Sequence, residues 1–372
     1  MAKQKLMKSG LDRAAIRRMA EVLVSVDPGI DGEQFQSQAR AGLRRLELKQ
    51  RVQHLVTVLH EHLPADFTAA AALLKDLEQH WPAGNPADPL RSFAAWPFID
   101  YVAEYGLDHP EIALPLLRRL TSLFSAEFAI RPFIIQHYKI SMRHLQAWTG
   151  DPNASVRRLV SEGTRPRLPW GQRLPAFCKD PSPVLALLEQ LNDDASQTVR
   201  RSVANNLNDI SKDNPDRVIL TCRRWTINAS PERLWVIRHA TRSLVKDGHP
   251  AVFGLLGYTE EPVVQIENLK TNKKRIKLGE SLEFSTELVS GSRQKQKIVI
   301  DYAVHHVKAN GSTKAKVFKL SSRTLAPGES ISFTKSHAIR PISTRKYYSG
   351  THAIEVLVNG KALGRIEFEL QI

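Results

Sequence analysis

The chain has 372 residues, of which 42% are apolar and 24% charged, and its net charge is +15. That length accommodates two domains of ordinary size, and no apolar run approaches the roughly 20 residues that span a bilayer. Two cysteines without a CxxC spacing exclude a disulfide framework or a cysteine metal site, while the basic balance favours polyanionic partners, because each cation set on a phosphate releases a condensed counterion.

The N-terminus lacks the apolar core and cleavage site of a signal peptide and reads as a basic amphipathic helix, so a cytoplasmic protein with reduced Cys178 and Cys222 is expected. Up to about Tyr258 the pattern is helical. Apolar residues recur at three- and four-residue spacing in Ile112-Leu114-Leu116-Leu117-Leu120-Leu123 and in Val184-Leu187-Leu188-Leu191. Helix starts are marked by His109-Pro110-Glu111, Asp180-Pro181-Ser182, Asn214-Pro215-Asp216 and Ser230-Pro231-Glu232, each with Pro where a helix has no use for an N–H.

Within this part lies an internal repeat. Asp151…Val156-Arg157-Arg158-Leu159 recurs 43 positions later as Asp194…Val199-Arg200-Arg201-Ser202, and Ile237-Arg238-His239-Ala240 is a weaker third copy. A period near 40 with Asp ahead of the helix and Val-Arg inside it is the HEAT pattern, in which helix pairs stack because none buries its apolar face alone. The Asp and Arg of such repeats form ladders, which suits Arg157 and Arg200 and leaves Arg158 and Arg201 for the open face. Asn205 and Asn206 either cap turns between repeats or reach a phosphate.

The stretch Asp151–Arg173 is the richest in chemistry. A helix ends near Glu162, and a proline-braced loop then carries Arg165, Arg167, Trp170 and Arg173. Upstream, Glu127 sits in the first turn of an expected helix that is otherwise almost wholly apolar, Phe128 to Ile135, where an acid either complements the helix dipole or does chemistry. Glu162 follows Arg158 by four positions, so a surface ion pair is the plain alternative for it. For Trp170 the plain alternative is packing over the repeat edge.

Beyond about Glu261 the texture changes to short alternating stretches, such as Lys297–Val304 and Ala353–Val358, parted by turn signals at Leu278-Gly279-Glu280, Asn310-Gly311, Pro327-Gly328-Glu329 and Asn359-Gly360. About seven strands suit an immunoglobulin-like sandwich. From Val264 to Ile372, 19 Lys and Arg stand against 9 Asp and Glu, so most of the excess charge sits here. The expected organisation is a HEAT-like helical domain at 1–258 and an all-β immunoglobulin-like domain at 263–372. His305 and His306 are strand neighbours facing opposite ways, which argues against a shared metal. No phosphate-loop, dinucleotide, HExxH or GxSxG motif occurs.

The runs Ser125–Phe133, Asp151-Pro152-Asn153…Val156–Leu159 and Ser161–Trp170 resemble the bacterial AlkC-type alkylpurine DNA glycosylases, HEAT-like base-excision enzymes related to the AlkD type. The resemblance covers the helical part and extends to the strand-rich domain. It implies hydrolysis of the N-glycosidic bond of cationic N3-alkylated bases, chiefly 3-methyladenine with 3-methylcytosine as a second candidate, without flipping the base, cofactor or metal. Glu127 and Glu162 are then the carboxylates beside the sugar and Trp170 the aromatic face, with Asp151 left open as a contributor or a helix N-cap. Arg143, Arg158, Arg165, Arg167, Arg173 and Arg201, joined by Lys273, Lys274 and Arg275 of the strand-rich domain, are the expected contacts to double-stranded DNA carrying the lesion. A monomer is expected. The competing reading is a HEAT scaffold that binds DNA or protein without catalysis.

Overall fold

The structure is a computed structural model that describes residues 6–342 and 345–372. Among the described residues, seventeen α-helices run from Arg13 to Leu255, and eight strands follow from Val264 to Gln371. Two compact units result, one of Met1–Asn214 with Ala229–Ala240, the other of Pro215–Asn228 with Thr241–Ile372.

Local chemistry sets the helix boundaries. Asp12 accepts from the N–H groups of Ala14 and Ala15 and so starts helix Arg13–Val26, while Asp31, Asp66 and Asn153 cap later helices in the same way. Each cap satisfies donors that have no partner inside the helix, a contribution of about 1 kcal/mol. Helices begin at Pro110, Pro215 and Pro231, as the sequence signals indicate, and at Ser182, where the Asp180 carboxylate accepts its N–H.

The three repeat copies lie on helices Ala154–Gly163, Gln197–Ile210 and Pro231–Ala240, and these pack in succession. Their inward faces, including Val156, Leu159, Val199, Val203, Val236 and Ile237, are buried. The expected ladder forms. Arg157 donates to both carboxylate oxygens of Asp194 at 2.6 and 2.9 Å, and Arg118 donates to Asp151 at 2.6 Å. Arg200 instead donates to the carbonyls of Asp194 and Ala195. Asp151 is thus no helix N-cap: Asn153 takes that place, and the Asp151 carboxylate is spent on Arg118 and the Asn153 N–H.

The second unit contains a two-sheet sandwich. β1 (Val264–Thr271), β3 (Ser281–Ser290) and β6 (Ser330–Ala338) form one sheet in the order β1-β3-β6. β2 (Arg275–Lys277), β8 (Lys361–Gln371), β7 (Gly350–Val358), β4 (Gln296–Val307) and β5 (Thr313–Leu325) form the other, in the order β2-β8-β7-β4-β5. All pairings are antiparallel except β2 with β8. Leu282, Phe284, Leu288, Ile298, Ile300, Tyr302, Val356 and Phe368 fill the space between the sheets. The Asn359-Gly360 turn closes the β7–β8 hairpin with both residues at positive φ, 47° and 76°, which matches the right-handed twist of the strands. His305 meets Glu355 at 3.1 Å, whereas His306 is buried beside Tyr347 and His352, so the two rings do point apart.

Candidate active site

Glu127 lies in a turn, not in a first helical turn. Thr121 Oγ1 accepts the Ala126 N–H at 3.1 Å, which diverts the backbone, and the helix starts only at Ile130. Ser125 Oγ donates to Glu127 Oε2 at 2.7 Å, and Arg158 Nη1 lies 2.9 Å from the same oxygen. The Glu127 side chain is 15% exposed.

Glu162 ends the helix Ala154–Gly163. Its Oε1 accepts from Arg165 Nη1 at 2.6 Å, its Oε2 accepts from Ser202 Oγ, and Arg158 Nη2 lies 3.9 Å away. Only 7% of its side chain is exposed, so the ion pair is interior and not superficial. Gly163 makes the approach possible, since a Cβ there would meet Ile130 Cγ2 at 2.6 Å. Helix end and helix start therefore abut, and Arg158 comes to lie between the two glutamates.

The charges continue in alternation. Arg165 reaches Asp209 at 2.8 Å, and Lys212 reaches the other oxygen of Asp209 at 2.8 Å. Burial lowers the Arg165 pKa, but Glu162 and Asp209 outweigh it and hold the guanidinium above its ordinary value. Taking charges out of water costs several kcal/mol each, and such a cluster persists because each charge faces an opposite one with hydrogen bonds. Its consequence is a set of matched opposite charges in a region of low dielectric, where electrostatic interactions act strongly.

The loop after Glu162 is tied down from below. Arg131, fully buried, donates to the carbonyls of Gly163 at 2.8 Å and Gln172 at 2.5 Å. Burial, with Arg165 nearby, pushes its pKa down to about 10, against the pull of Asp209 and Glu127, so it remains charged at neutral pH. Lys49, on helix Leu48–His62, donates to the Trp170 carbonyl at 2.6 Å. Trp170 stands at φ 64° with 65% of its surface exposed. A bulky residue in the left-handed region costs about 1–3 kcal/mol, and the structure holds this strain while presenting an indole to solvent.

Trp170 borders a cleft of about 200 Å³ together with Lys49, Trp96, Asp100, Phe128 and Gln172. Phe128, next to Glu127 in the chain, stacks on Trp96 with centroids 5.8 Å apart. Burial pushes the Asp100 carboxyl up to about 7, opposed by the hydrogen bond from Trp96 Nε1 and by Lys49.

The arginines and lysines expected to meet DNA separate into two groups. Arg158 and Arg165 belong to the carboxylate network, and Arg165 is buried. Arg167 is paired in a fork with Asp213, Arg143 lies 3.4 Å from Glu111, and Lys273 lies 3.5 Å from Glu280. Arg173, Arg201, Lys274 and Arg275 are exposed and make no ion pair among the described residues. Among those residues no group of three or more His, Cys, Asp or Glu side chains is placed to hold a metal.

Sequence reasoning passed over Lys49, Asp100, Arg131, Ser202 and Asp209. Ser202 and Asp209 had a faint signal, lying 40 and 44 positions after Glu162 and Arg165, about one repeat away. Lys49, 121 positions before Trp170, had none.

Known proteins match both parts of this architecture. The family described as the C-terminal Ig-like domain of the uncharacterised protein YhaZ matches residues 265–372. YhaZ of Bacillus subtilis is 39% identical over 325 residues, covering 87% of this chain and 88% of its own. The structure of the alkylpurine DNA glycosylase AlkC of Pseudomonas fluorescens, bound to DNA containing an abasic-site analogue, superposes with a TM-score of 0.91 at 37% identity, covering 99% of this chain and all of that one. With such identity over nearly the whole length, the chain belongs to the AlkC-type family.

Proposed function

We propose that this protein is a DNA glycosylase that hydrolyses the N-glycosidic bond of cationic N3-alkylated bases, 3-methyladenine foremost, and that it acts on them as a monofunctional enzyme on duplex DNA. Residues 1–258 would carry the chemistry, with 263–372 adding contacts to the backbone. The observation that carries the reading is the pair of carboxylates, Glu127 and Glu162, sharing Arg158, with Phe128, next to Glu127 in the chain, lining the cleft that the exposed Trp170 borders. The likeness to a glycosylase bound to abasic-site DNA supports it.

The chemistry asks little of the enzyme beyond electrostatics. An N3-alkylated purine is already positively charged, so its C1′–N9 bond breaks with the electron pair passing to the base, which leaves neutral. The deoxyribose becomes oxocarbenium-like. A carboxylate near it stabilises that charge and takes the proton of the water that forms the new C1′–O bond. The indole face of Trp170 attracts the cationic base, a contribution of roughly 0.5–2 kcal/mol. Neither step calls for base protonation, a metal or a flipped-out nucleotide.

The test is release of 3-methyladenine from methylated duplex DNA by the purified protein. Glu127→Gln and Glu162→Gln, each close in shape, should slow single-turnover release on the order of a hundredfold or more. Unchanged release by the double variant would remove the site assignment. Absence of release by the unmodified protein, with salt-sensitive DNA binding that ignores alkylation, would leave a HEAT binding module.

A further inference from the structure

The arginines around Glu162 are largely neutralised by carboxylates, so they add little to a field that reaches solvent. Unspent charge lies elsewhere in the helical unit. A cavity of about 630 Å³ is walled by Arg13, Arg40, Arg44, Arg45 and Arg51, with Asp12 as its one acid. That acid is committed to capping, accepting from the N–H groups of Ala14 and Ala15. Arg51 is committed as well, donating to the carbonyls of Leu46, Lys8 and Leu11, which fixes the wall. Arg40 reaches Gln36. Arg13, Arg44 and Arg45 are exposed, and their side chains make no hydrogen bond or ion pair among the described residues. The turn that presents Arg44 and Arg45 passes through Gly42 at φ 69°, with open space around it.

We propose that this cavity is a phosphate-binding subsite that grips the backbone of the duplex through Arg13, Arg44 and Arg45. Five guanidinium groups around one spent acid demand an anion, and their planar forks match phosphate oxygens. The cavity offers no aromatic plate and no uncommitted acid to read a base or ribose. A free nucleotide would therefore be held by its phosphates alone, whereas a phosphodiester chain needs nothing more. The proposal rests on the glycosylase reading only in taking duplex DNA as the occupant.

The test measures binding, not turnover, so it stands apart from whether the protein releases a base. Binding of a duplex with an abasic-site analogue is followed by fluorescence anisotropy across about 50–200 mM KCl. Arg13→Ala/Arg44→Ala/Arg45→Ala should flatten the log–log salt slope by about 2–3, at about 0.9 per phosphate contact, and weaken binding more than tenfold at low salt. Arg44→Ala and Arg45→Ala singly, each a surface change, should flatten it by about 1. Lys75→Ala/Lys179→Ala, a loss of two charges outside the cavity, should leave the slope alone. A slope unchanged in the cavity variants, or flattened as much in the lysine control, overturns the proposal. So does calorimetric binding of ATP that the triple variant loses while its DNA salt slope stays that of the unmodified protein, which would make free polyphosphate the occupant.

Discussion

The helical centre around Glu162 and the strand-rich unit handle charge in opposite ways. In the centre, Glu127, Arg158, Glu162, Arg165, Asp209 and Lys212 alternate in sign, so each acid or base faces a partner of opposite sign. In the sandwich most cations stay exposed, burial pushes the Asp301 carboxyl up to about 6, and the enclosed histidines are pushed toward the neutral form. Burial, with the Arg345 and Lys316 cations nearby, pushes His306 down to about 3, and burial with Arg345 and Lys316 pushes His337 down to about 4. Charge retained inside a protein must be matched, and the matching is worthwhile where a reaction develops charge. Charge without such a use is shed or left at the surface.

That contrast can be broken at its strongest point first. Glu162→Ala leaves Arg165 facing only Asp209 and should lower the unfolding free energy by about 3 kcal/mol or more in urea titration, whereas Arg173→Ala on the same loop should stay within about 0.5 kcal/mol. Equal effects would mean that the network is not the interior ion cluster described.

Acid should then expose the sandwich. His306 has a folded pKa below its unfolded one, so below about pH 6.5 the unfolded chain binds a proton that the folded chain refuses. Stability of this unit should fall as pH drops from about 6.5 toward 3, by up to about 1.4 kcal/mol per pH unit for this group, and His306→Phe should flatten the dependence. Thermal melts at stepped pH check this, and an unaltered dependence in the variant would place the acid lability elsewhere.

The smallest effect sharpens the comparison at a single residue. Trp170→Gly removes the positive-φ strain and should melt no lower than the unmodified protein, and higher than Trp170→Ala by about 1 kcal/mol, while both slow base release. A Trp170→Gly variant that melts far lower would show that the indole packs as structure.

Much of this was legible from the chain alone. The repeat spacing placed three stacked helices, and the Pro signals placed the starts at Pro110, Pro215 and Pro231, because proline geometry is local. The turns at Asn359-Gly360 and Pro327-Gly328 were equally plain, since positive φ selects their glycines. Glu127, Glu162 and Trp170 stood out by motif and resemblance. Their setting did not: a helical first turn fits the residues after Glu127, yet the side chains of Thr121 and Ser125 claim that backbone and its acid.

What the sequence settled by itself was the succession of helices and strands, the period of the repeat and the excess of positive charge, all properties of neighbours along the chain. Only the tertiary structure decided which charges are spent. Arg165 is consumed by Glu162 and Asp209, Lys49 crosses 121 positions to hold the Trp170 turn, and Arg13, Arg44 and Arg45 are left without partners among the described residues. Pairing depends on distance in space and on desolvation, and neither is written in the order of the residues.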